Sequence, residues 1–358
     1  MQTIDAQIGS RRFPVLVGTG ASDGVAEAWP SDATGTALVV VDSGVRDAAQ
    51  HVIDALAGRG LRIIEAVVPS GETSKGFTVY ESILRLAAEA GVRRSDTVVA
   101  IGGGVVGDLS GFVAASYQRG VRLVHVPTTL LAMVDSSIGG KTGINLPEAK
   151  NYVGAIWQPA LVVMDTRFLT TLPTRELSAG FAEVIKYGFL EGGELADRID
   201  AWPVLPGDPD AMTSLIVDCV SHKLRVVAQD EQDFGIRASL NFGHTVGHGI
   251  EAAGRYSRYL HGEAISLGML AALRLSEEML GLDPAHRERA ISLFDRHGLP
   301  TRLDPAVETS EILRAMGRDK KADATALNMV LIGAPGDIRL KQNPDPDRVV
   351  AAIEELRP

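Results

Sequence analysis

Short runs of valine and isoleucine recur through the first half of the chain, separated by stretches with helical periodicity. Five such runs lie at residues 37–42, 62–69, 97–101, 123–127 and 161–165, with helical patterns between several of them, such as 78–90 and 105–115. Runs that are apolar throughout suit strands covered on both faces, because neither face of such a strand tolerates water. The alternation therefore predicts an α/β, Rossmann-like domain with a largely parallel sheet.

The pattern changes after about residue 174, where apolar residues repeat mainly at helical spacing. Helices are predicted over residues 176–190, 211–229, 239–253, 262–280, 284–296 and 308–316, with a short strand pair near 328–332 and 338–340. Pro173 precedes the first of these helices, as is common at a helix start. Since 358 residues exceed most single cores, we predict an α/β domain over 1–174 and a mainly α-helical domain over 175–358.

The composition excludes several classes of function. A formal net charge of −10 argues against a protein that binds nucleic acid or an anionic membrane, because both need a basic face. The single cysteine, Cys219, excludes an intrachain disulfide. No run approaches the roughly 18 apolar residues of a membrane span, and the first residues do not resemble a signal peptide. We therefore expect a cytoplasmic protein with no nucleic-acid or membrane partner.

Two loops that follow predicted strands have residues suited to a phosphate. The first contains Gly102-Gly103-Gly104 and opens a helix, so that backbone N–H groups and the positive end of a helix dipole face the loop. In the second, residues 70–75 (SGETSK), Glu72 could accept ribose hydroxyls and Lys75 could face phosphate. Each loop alone is also explained as a tight turn or a capped helix start. Two of them at successive strand ends of one sheet favour a dinucleotide.

Histidines at helical spacing indicate a metal site in the second domain. One face of the helix predicted there carries the polar side chains of Arg237, Asn241, His244 and His248. Imidazole nitrogens and carboxylate oxygens are ligands of zinc and similar metals. Glu183 lies in an apolar helix, where a bare carboxylate is costly, although an ion pair with Lys186 is an alternative explanation. His261 begins another helix, and the spacing leaves open whether His248 or His261 is the third ligand.

Positive side chains occur in and around a long Gly-rich segment between two predicted strands, residues 135–151. Long irregular stretches in a compact domain are commonly functional. The cationic set comprises Arg119, Lys141, Lys150, Lys223, Arg237, Lys320 and Lys321. Each alone suits a solvated surface position, but together they offer enough charge for a phosphate and a carboxylate. We therefore expect a small anionic substrate.

These motifs together resemble the 3-dehydroquinate synthase family, which is part of the sugar-phosphate cyclase superfamily. The resemblance extends over nearly the whole chain, from the SGETSK loop to residues 319–321 (DKK). The longest matches are GGGVVGDLSGFVAASYQRG (102–120), VPTTLLAMVDSSIGGKTGIN (126–145), KNYVGAIWQP (150–159), RELSAGFAEVIKYG (175–188) and LNFGHTVGHGIE (240–251).

The resemblance implies a ligand set for each site. Zinc, with cobalt as an alternative, would be bound by Glu183, His244 and His261. NAD would contact Asp42, Ser70, Gly71, Glu72, Thr73, Ser74, Lys75, Gly104, Val105, Val106, Gly107, Asp108, Thr128, Thr129, Lys141, Lys150, Phe168, Leu169, Thr170 and Thr171. The substrate, 3-deoxy-D-arabino-heptulosonate 7-phosphate, would contact Arg119, Asp135, Lys141, Asn151, Lys186, Lys223, Arg237, Asn241, His248 and one of Lys320 and Lys321. The family is usually dimeric, which implies a homodimer.

The resemblance also implies a reaction that gives 3-dehydroquinate and phosphate. NAD would take a hydride from C5 of the sugar and leave a ketone, whose oxygen the metal would polarise. Phosphate would then leave by elimination and the hydride would return. Ring opening and an internal aldol reaction would close the carbocycle. The substrate phosphate itself would serve as a base. Lys150 and Lys186 would hold negative charge, and His248 is the candidate for later proton transfers.

One position departs from the family pattern, and three alternative functions stay open. The family segment D-E-x-E-x-G-x-R is here DEQDFGIR (230–237), so that Asp233 replaces a glutamate and shortens the reach of that carboxylate. An aminodehydroquinate synthase or another sugar-phosphate cyclase would use the same machinery. A metal-dependent polyol dehydrogenase is a weaker alternative because a neutral polyol needs no cationic set. A binding protein without activity is the third.

Overall fold

The chain forms two compact units in a computed structural model that describes residues 1–33, 35–146, 149–203, 205, 207–318 and 327–358. The first unit comprises Met1–Leu172 and Asp208–Gln232, and the second comprises Pro173–Gly207 and Asp233–Pro358. The first change of unit lies close to the predicted boundary at residue 174. The helix predicted over 211–229 lies in the first unit, however, whereas the sequence assigns it to the second domain.

Strands and helices are numbered along the chain. The strands are β1 (Gln2–Ile8), β2 (Arg11–Gly18), β3 (Thr36–Asp42), β4 (Arg62–Val68), β5 (Thr97–Gly102), β6 (Arg122–Pro127), β7 (Lys141–Leu146), β8 (Ala149–Ile156), β9 (Leu161–Asp165), β10 (Met329–Ala334) and β11 (Asp337–Gln342). The helices are α1 (Gln50–Gly58), α2 (Phe77–Glu89), α3 (Gly104–Ser116), α4 (Thr174–Glu191), α5 (Gly193–Asp200), α6 (Pro209–Gln229), α7 (His244–Ala253), α8 (His261–Leu280), α9 (Ala285–Arg296), α10 (Thr309–Arg318) and α11 (Pro346–Glu354).

The first unit is built on a seven-stranded sheet in the order β1-β2-β9-β6-β5-β3-β4. All neighbours are parallel except β1 and β2, which form an antiparallel pair at one edge of the sheet. The five predicted apolar strands are confirmed, and β5 and β9 are buried along their whole length. Because these strands are parallel, their carboxyl ends share one edge of the sheet, where ligands bind in open α/β folds.

Helices cover this sheet and fix its hydrophobic core. Side chains of α2 and α3 pack with those of β3, β4, β5 and β6 in one buried cluster. Helix α6 contacts β1 and β2 at the other end of the sheet. It therefore completes the first unit, although 35 residues of the second unit, Pro173–Gly207, precede it in the chain.

The Gly-rich segment after β6 is more regular than the sequence predicts. Residues Ala132–Ser136 form a turn of π-helix, and β7 and β8 pair as an antiparallel hairpin. The prediction of a long irregular stretch over 135–151 is therefore wrong for residues 141–146 and 149–151. Polar and glycine residues alternate with few large apolar ones in these strands, and β8 is only partly buried, so the usual apolar signal of a strand is missing.

The second unit is mainly α-helical, as predicted, with β10 and β11 as an antiparallel pair. The helix predicted over 239–253 is in fact interrupted. A short 3-10 helix spans Ile236–Asn241, and α7 begins only at His244, after Gly243 with a φ of 79°. A Cβ at Gly243 would lie 2.8 Å from the backbone nitrogen of Met269 in α8, so both the turn and the close approach require glycine. In the described part of the chain, no helix is long and apolar enough to cross a membrane.

Candidate functional site

Three helices of the second unit bring one carboxylate and two imidazoles together. The Oε1 atom of Glu183, in α4, lies 3.5 Å from Nε2 of His244 and 3.4 Å from Nε2 of His261. His244 is the first residue of α7 and His261 the first of α8. Gly262 permits this arrangement, because a Cβ there would lie 1.8 Å from the carbonyl oxygen of Ala179 in α4.

Hydrogen bonds on the far side of each ring orient the two imidazoles. Nδ1 of His244 lies 3.1 Å from the backbone oxygen of Phe242, to which it can only donate. Nδ1 of His261 lies 3.0 Å from Oε2 of Glu251. When both imidazoles are neutral, each Nε2 therefore carries no proton, and its lone pair faces Glu183.

Burial and charge set the protonation of these rings. Burial, together with the neighbouring Lys186 ammonium, lowers the pKa of His244 to about 3. Burial alone would also lower the pKa of His261, but the Glu251 and Glu183 carboxylates outweigh it and raise that pKa to about 10. The His244 ring is thus held neutral. The His261 ring lies in a negative electrostatic potential, which favours a positive charge there, whether a proton or a metal cation.

The spacing of these three side chains fits a metal ion. Ligand atoms about 2.1 Å from a tetrahedral ion lie about 3.4 Å apart, which agrees with the two distances from Glu183 to the histidines. The three ligand atoms all lie within 4.8 Å of one another. Two imidazoles and one carboxylate form a donor set typical of catalytic zinc, which keeps a fourth position for water or substrate. Lys186 contacts the other oxygen of Glu183 and is buried with it.

Glu251 is a residue of this centre that the sequence analysis missed. It lies three residues after His248 and seven after His244 in α7, so helical spacing places it on their face. Only 5% of it is exposed, and its carboxylate accepts the Nδ1–H of His261. A carboxylate behind a metal-binding histidine fixes the tautomer and raises the basicity of the ring.

We expect Glu251→Gln to weaken zinc binding by roughly 10- to 100-fold, because loss of such a carboxylate leaves the ring less well oriented and less basic. The zinc Kd, measured by competition with a chromophoric chelator, checks this. Glu263→Gln is the matched control. Glu263, in α8, is buried like Glu251, but its carboxylate pairs with Arg175. An unchanged Kd in the Glu251 variant, or an equal loss in the control, would contradict this role.

Other predicted substrate residues of the second unit lie on separate elements. His248 follows His244 by one turn of α7, with ring centroids 5.3 Å apart, and is 5.9 Å from the ring of His261. Arg237 and Asn241 lie on the short 3-10 helix, so the predicted single helix face for all four residues is wrong. The reason is the turn at Gly243. Lys320 and Lys321 lie outside the described residues.

The backbone conformation at residue 233 is relevant to the aspartate that replaces the family's glutamate there. Asp233 has a φ of 63°, in the left-handed region. Aspartate adopts this region more readily than most residues with a side chain, because its short polar group bonds locally. The shorter carboxylate therefore suits the turn that precedes Arg237.

The glycine turn of the first unit lies at the carboxyl edge of the sheet. Gly103 is the residue before α3, and the first turn of that helix has no side-chain cap. The backbone N–H groups of this first turn can therefore bind an anion, as those at helix N-termini commonly do. The backbone N–H of Thr128, after β6, donates to the carbonyl of Gly102 at 3.0 Å, which keeps Thr128 and Thr129 beside this turn.

The SGETSK loop and the β7–β8 hairpin contact one another in the first unit. The Lys75 ammonium contacts the carboxylate of Asp108 in α3 and the Oδ1 atom of Asn151 in β8. Nζ of Lys150 lies 3.7 Å from Oε2 of Glu72. Burial raises the pKa of Asp108, against the opposing effect of Lys75. Residues predicted for the cofactor and for the substrate therefore form one polar network.

Other predicted ligands of the first unit lie on several different elements. Asp42 ends β3 and contacts the hydroxyl of Ser70, and Phe168 to Thr171 follow β9. The Lys223 ammonium, in α6, lies 2.7 Å from Oδ1 of Asp135. Arg119 is exposed, with a φ of 61°. Lys141, at the start of β7, is exposed too.

Comparison with known proteins relates the chain to one group of enzymes. The family model described as 3-dehydroquinate synthase N-terminal matches residues 65–179, and that described as 3-dehydroquinate synthase C-terminal matches residues 180–322. A 3-dehydroquinate synthase from Acidithiobacillus ferrooxidans is 41% identical over 99% of this chain and 98% of its own.

Two solved structures are similar over almost the whole chain. A 2-deoxy-scyllo-inosose synthase complexed with carbaglucose-6-phosphate, NAD⁺ and Co²⁺ has a TM-score of 0.90 at 26% identity and covers 99% of both chains. A 2-epi-5-epi-valiolone synthase from Streptomyces hygroscopicus with bound NAD⁺ and Zn²⁺ has a TM-score of 0.86 at 26% identity and covers 98% of both chains. Both confirm the predicted fold class.

Proposed function

The chain belongs to the 3-dehydroquinate synthase family, and we propose that it converts 3-deoxy-D-arabino-heptulosonate 7-phosphate to 3-dehydroquinate and inorganic phosphate. This is a step of the shikimate pathway toward aromatic amino acids. The observation that carries the proposal is the cluster of Glu183, His244 and His261, which has the spacing and donor set of a catalytic metal centre.

The proposed cofactors are NAD and a divalent metal, zinc or cobalt. When bound, NAD would accept and return a hydride, and the metal would act as a Lewis acid toward a substrate oxygen. We assign the metal to Glu183, His244 and His261. We assign NAD to the carboxyl edge of the first unit, with the N-terminus of α3 facing its phosphates.

The charged side chains of the chain would bind and orient an anionic sugar phosphate. Lys186 is buried against Glu183 and offsets the charge of that carboxylate, so that both can remain ionised out of water. Lys223 is held by the carboxylate and the backbone oxygen of Asp135, which fixes its ammonium. His248 lies beside the two metal-binding rings, and we assign it proton transfers, for which imidazole is suited near neutral pH.

The remaining features of the proposal rest on the sequence. We propose a homodimer in the cytoplasm. We also propose that Lys150 and Asn151 contact substrate from the β7–β8 hairpin. A polyol dehydrogenase is a weaker alternative, because a neutral polyol needs no cationic set such as the one that this chain carries.

We expect the enzyme, given NAD, zinc and the heptulosonate phosphate, to release phosphate in proportion to enzyme turnover without net accumulation of NADH. The hydride returns to the substrate in each cycle, so NAD is not consumed. Phosphate is measured colorimetrically and NADH by absorbance in the same sample. Continuous NADH production would instead indicate a dehydrogenase. Phosphate release from an amino analogue alone would indicate an aminodehydroquinate synthase.

A further inference from the structure

Asn145 lies between the SGETSK loop and the strand that carries Lys150 and Asn151. It lies near the end of β7 and is half-buried. Its Nδ2 atom donates to Oε1 of Glu72 at 2.7 Å, and its Oδ1 atom accepts the backbone N–H of Asn151 at 2.9 Å. Its own backbone N–H donates to the carbonyl oxygen of Lys75 at 2.8 Å. A single side chain thus contacts both segments.

The two contacts of the Asn145 amide are chemically different. The NH₂ group faces a carboxylate, so it must be a donor there. The oxygen faces a backbone N–H, so it must be an acceptor there. If the amide were turned so that its oxygen and its NH₂ group changed places, a hydrogen bond would be lost. The position therefore requires an amide, and an aspartate of the same shape satisfies only one of the two partners.

The bond to Asn151 supports an uncommon backbone conformation. Asn151 has a φ of 58°, in the left-handed region that residues with a side chain seldom adopt. Its N–H would otherwise have water as its partner, since the residue is exposed. The bond from Asn145 biases this turn toward one conformation and so fixes where the side chains of Lys150 and Asn151 begin.

We infer that Asn145 is a positioning residue that couples the SGETSK loop, to which we assign NAD, to the β7–β8 hairpin, to which we assign substrate contacts. It holds Glu72 for the ribose of NAD and holds the turn of Asn151 for the sugar phosphate. This inference rests on the proposed function for the identity of both ligands. The contacts among the loop, Asn145 and the hairpin lie within the first unit and do not depend on those identities.

Three variants separate the two halves of this role. Asn145→Asp keeps an acceptor for Asn151 but turns a second oxygen toward Glu72. We expect the NAD Kd, from calorimetry without substrate, to rise about tenfold, with the KM for the heptulosonate phosphate at saturating NAD within about threefold. Asn145→Ala should raise both about tenfold. On a Glu72→Gln background, Asn145→Asp should have no further effect on the NAD Kd, because the amide introduced at position 72 can donate to the carboxylate introduced at position 145.

The matched control is Gln158→Glu, which makes the same chemical change elsewhere in the first unit. Nε2 of Gln158 donates to Oε1 of Glu231 at 3.0 Å, so this variant also places two carboxylates together. We expect its NAD Kd and substrate KM to stay within about threefold of wild type. An equal rise in the control would show a general effect of buried charge and overturn the inference.

Hydrogen exchange gives a readout that does not depend on either ligand. In Asn145→Ala, peptides that cover residues 70–77 and 149–156 should exchange at least about tenfold faster than in wild type, while those of α1 should not change. Unchanged exchange in both segments overturns the inference even if NAD binds as proposed. Failure of the wild type to bind NAD overturns the proposed function, while the exchange rates still decide whether Asn145 couples the two segments.

Discussion

We expect His261→Ala to lose its bound metal and its turnover while the fold is retained. Zinc sites with four ligands are worth about 10–16 kcal/mol, or roughly 2.5–4 kcal/mol for each ligand, so loss of one should raise the zinc Kd by roughly 10²- to 10³-fold. Nε2 of His261 lies 3.4 Å from Glu183, in the position of a third ligand. Metal content after dialysis, with a far-ultraviolet circular dichroism spectrum, measures both outcomes.

His248→Ala is the matched control for this prediction. His248 lies on α7 one turn from His244 and is the alternative ligand that helical spacing left open. We expect this variant to keep its zinc and to lose turnover, because the proposed role of His248 is proton transfer. Full metal content in His261→Ala and empty sites in His248→Ala would reverse the assignment.

We expect Asp165→Ala to destabilise the protein by about 3–5 kcal/mol, because it removes one partner of a buried charged network. Asp165, at the end of β9, is fully buried. Its carboxylate accepts the backbone N–H groups of Gly20 and Ser22 at 3.1 Å each and pairs with Arg167 at 2.7 Å. The free energy of unfolding from urea titration measures the loss. A loss below about 1 kcal/mol would contradict it.

Asp23→Ala is the matched control, since Asp23 pairs with the same Arg167 at 2.6 Å but is 61% exposed. Exposed pairs contribute about 0–1 kcal/mol, so a small loss is expected.

The pH dependence provides a second measurement of the same carboxylate. Burial alone would raise the pKa of Asp165, but the bonds from Arg167 and Ser22 lower it to about 2. A carboxyl whose pKa is lowered by folding stabilises the native state above its ordinary pKa, near 4, and this contribution is lost as the pH falls toward 2. Unfolding free energies of wild type and Asp165→Ala should therefore converge as the pH is lowered from 5 to 3. Parallel curves would contradict this.

The parallel sheet could be predicted from the sequence because its central strands are buried on both faces. A run such as residues 161–164 must then be apolar throughout, and a run this short favours a strand over a buried helix. The β7–β8 hairpin could not be predicted in this way. Its strands are polar and partly exposed, so pairing between backbones, and not an apolar pattern, determines their structure.

The metal centre was predictable only in part for a related reason. Periodicity relates residues within one helix, so it placed His244 and His248 on the same face of α7. It carries no information about which residue of another helix approaches them. His261 and Glu183 come from α8 and α4, and the choice of His261 came from the family resemblance. The break at Gly243 was also hidden, because glycine within a helical pattern does not by itself indicate a turn.

Helix α6 has a consequence for the order in which the protein is made and folded. Helix α6 cannot pack against β1 and β2 until residues Asp208–Gln232 of the first unit have been synthesised. On the ribosome, the sheet emerges well before that helix, and residues Pro173–Gly207 of the second unit are made in between. An early fragment that ends near residue 172 would therefore expose apolar surface on its first two strands, a hazard for aggregation during synthesis. A stable version of the first unit alone would need α6 joined to it by a new linker.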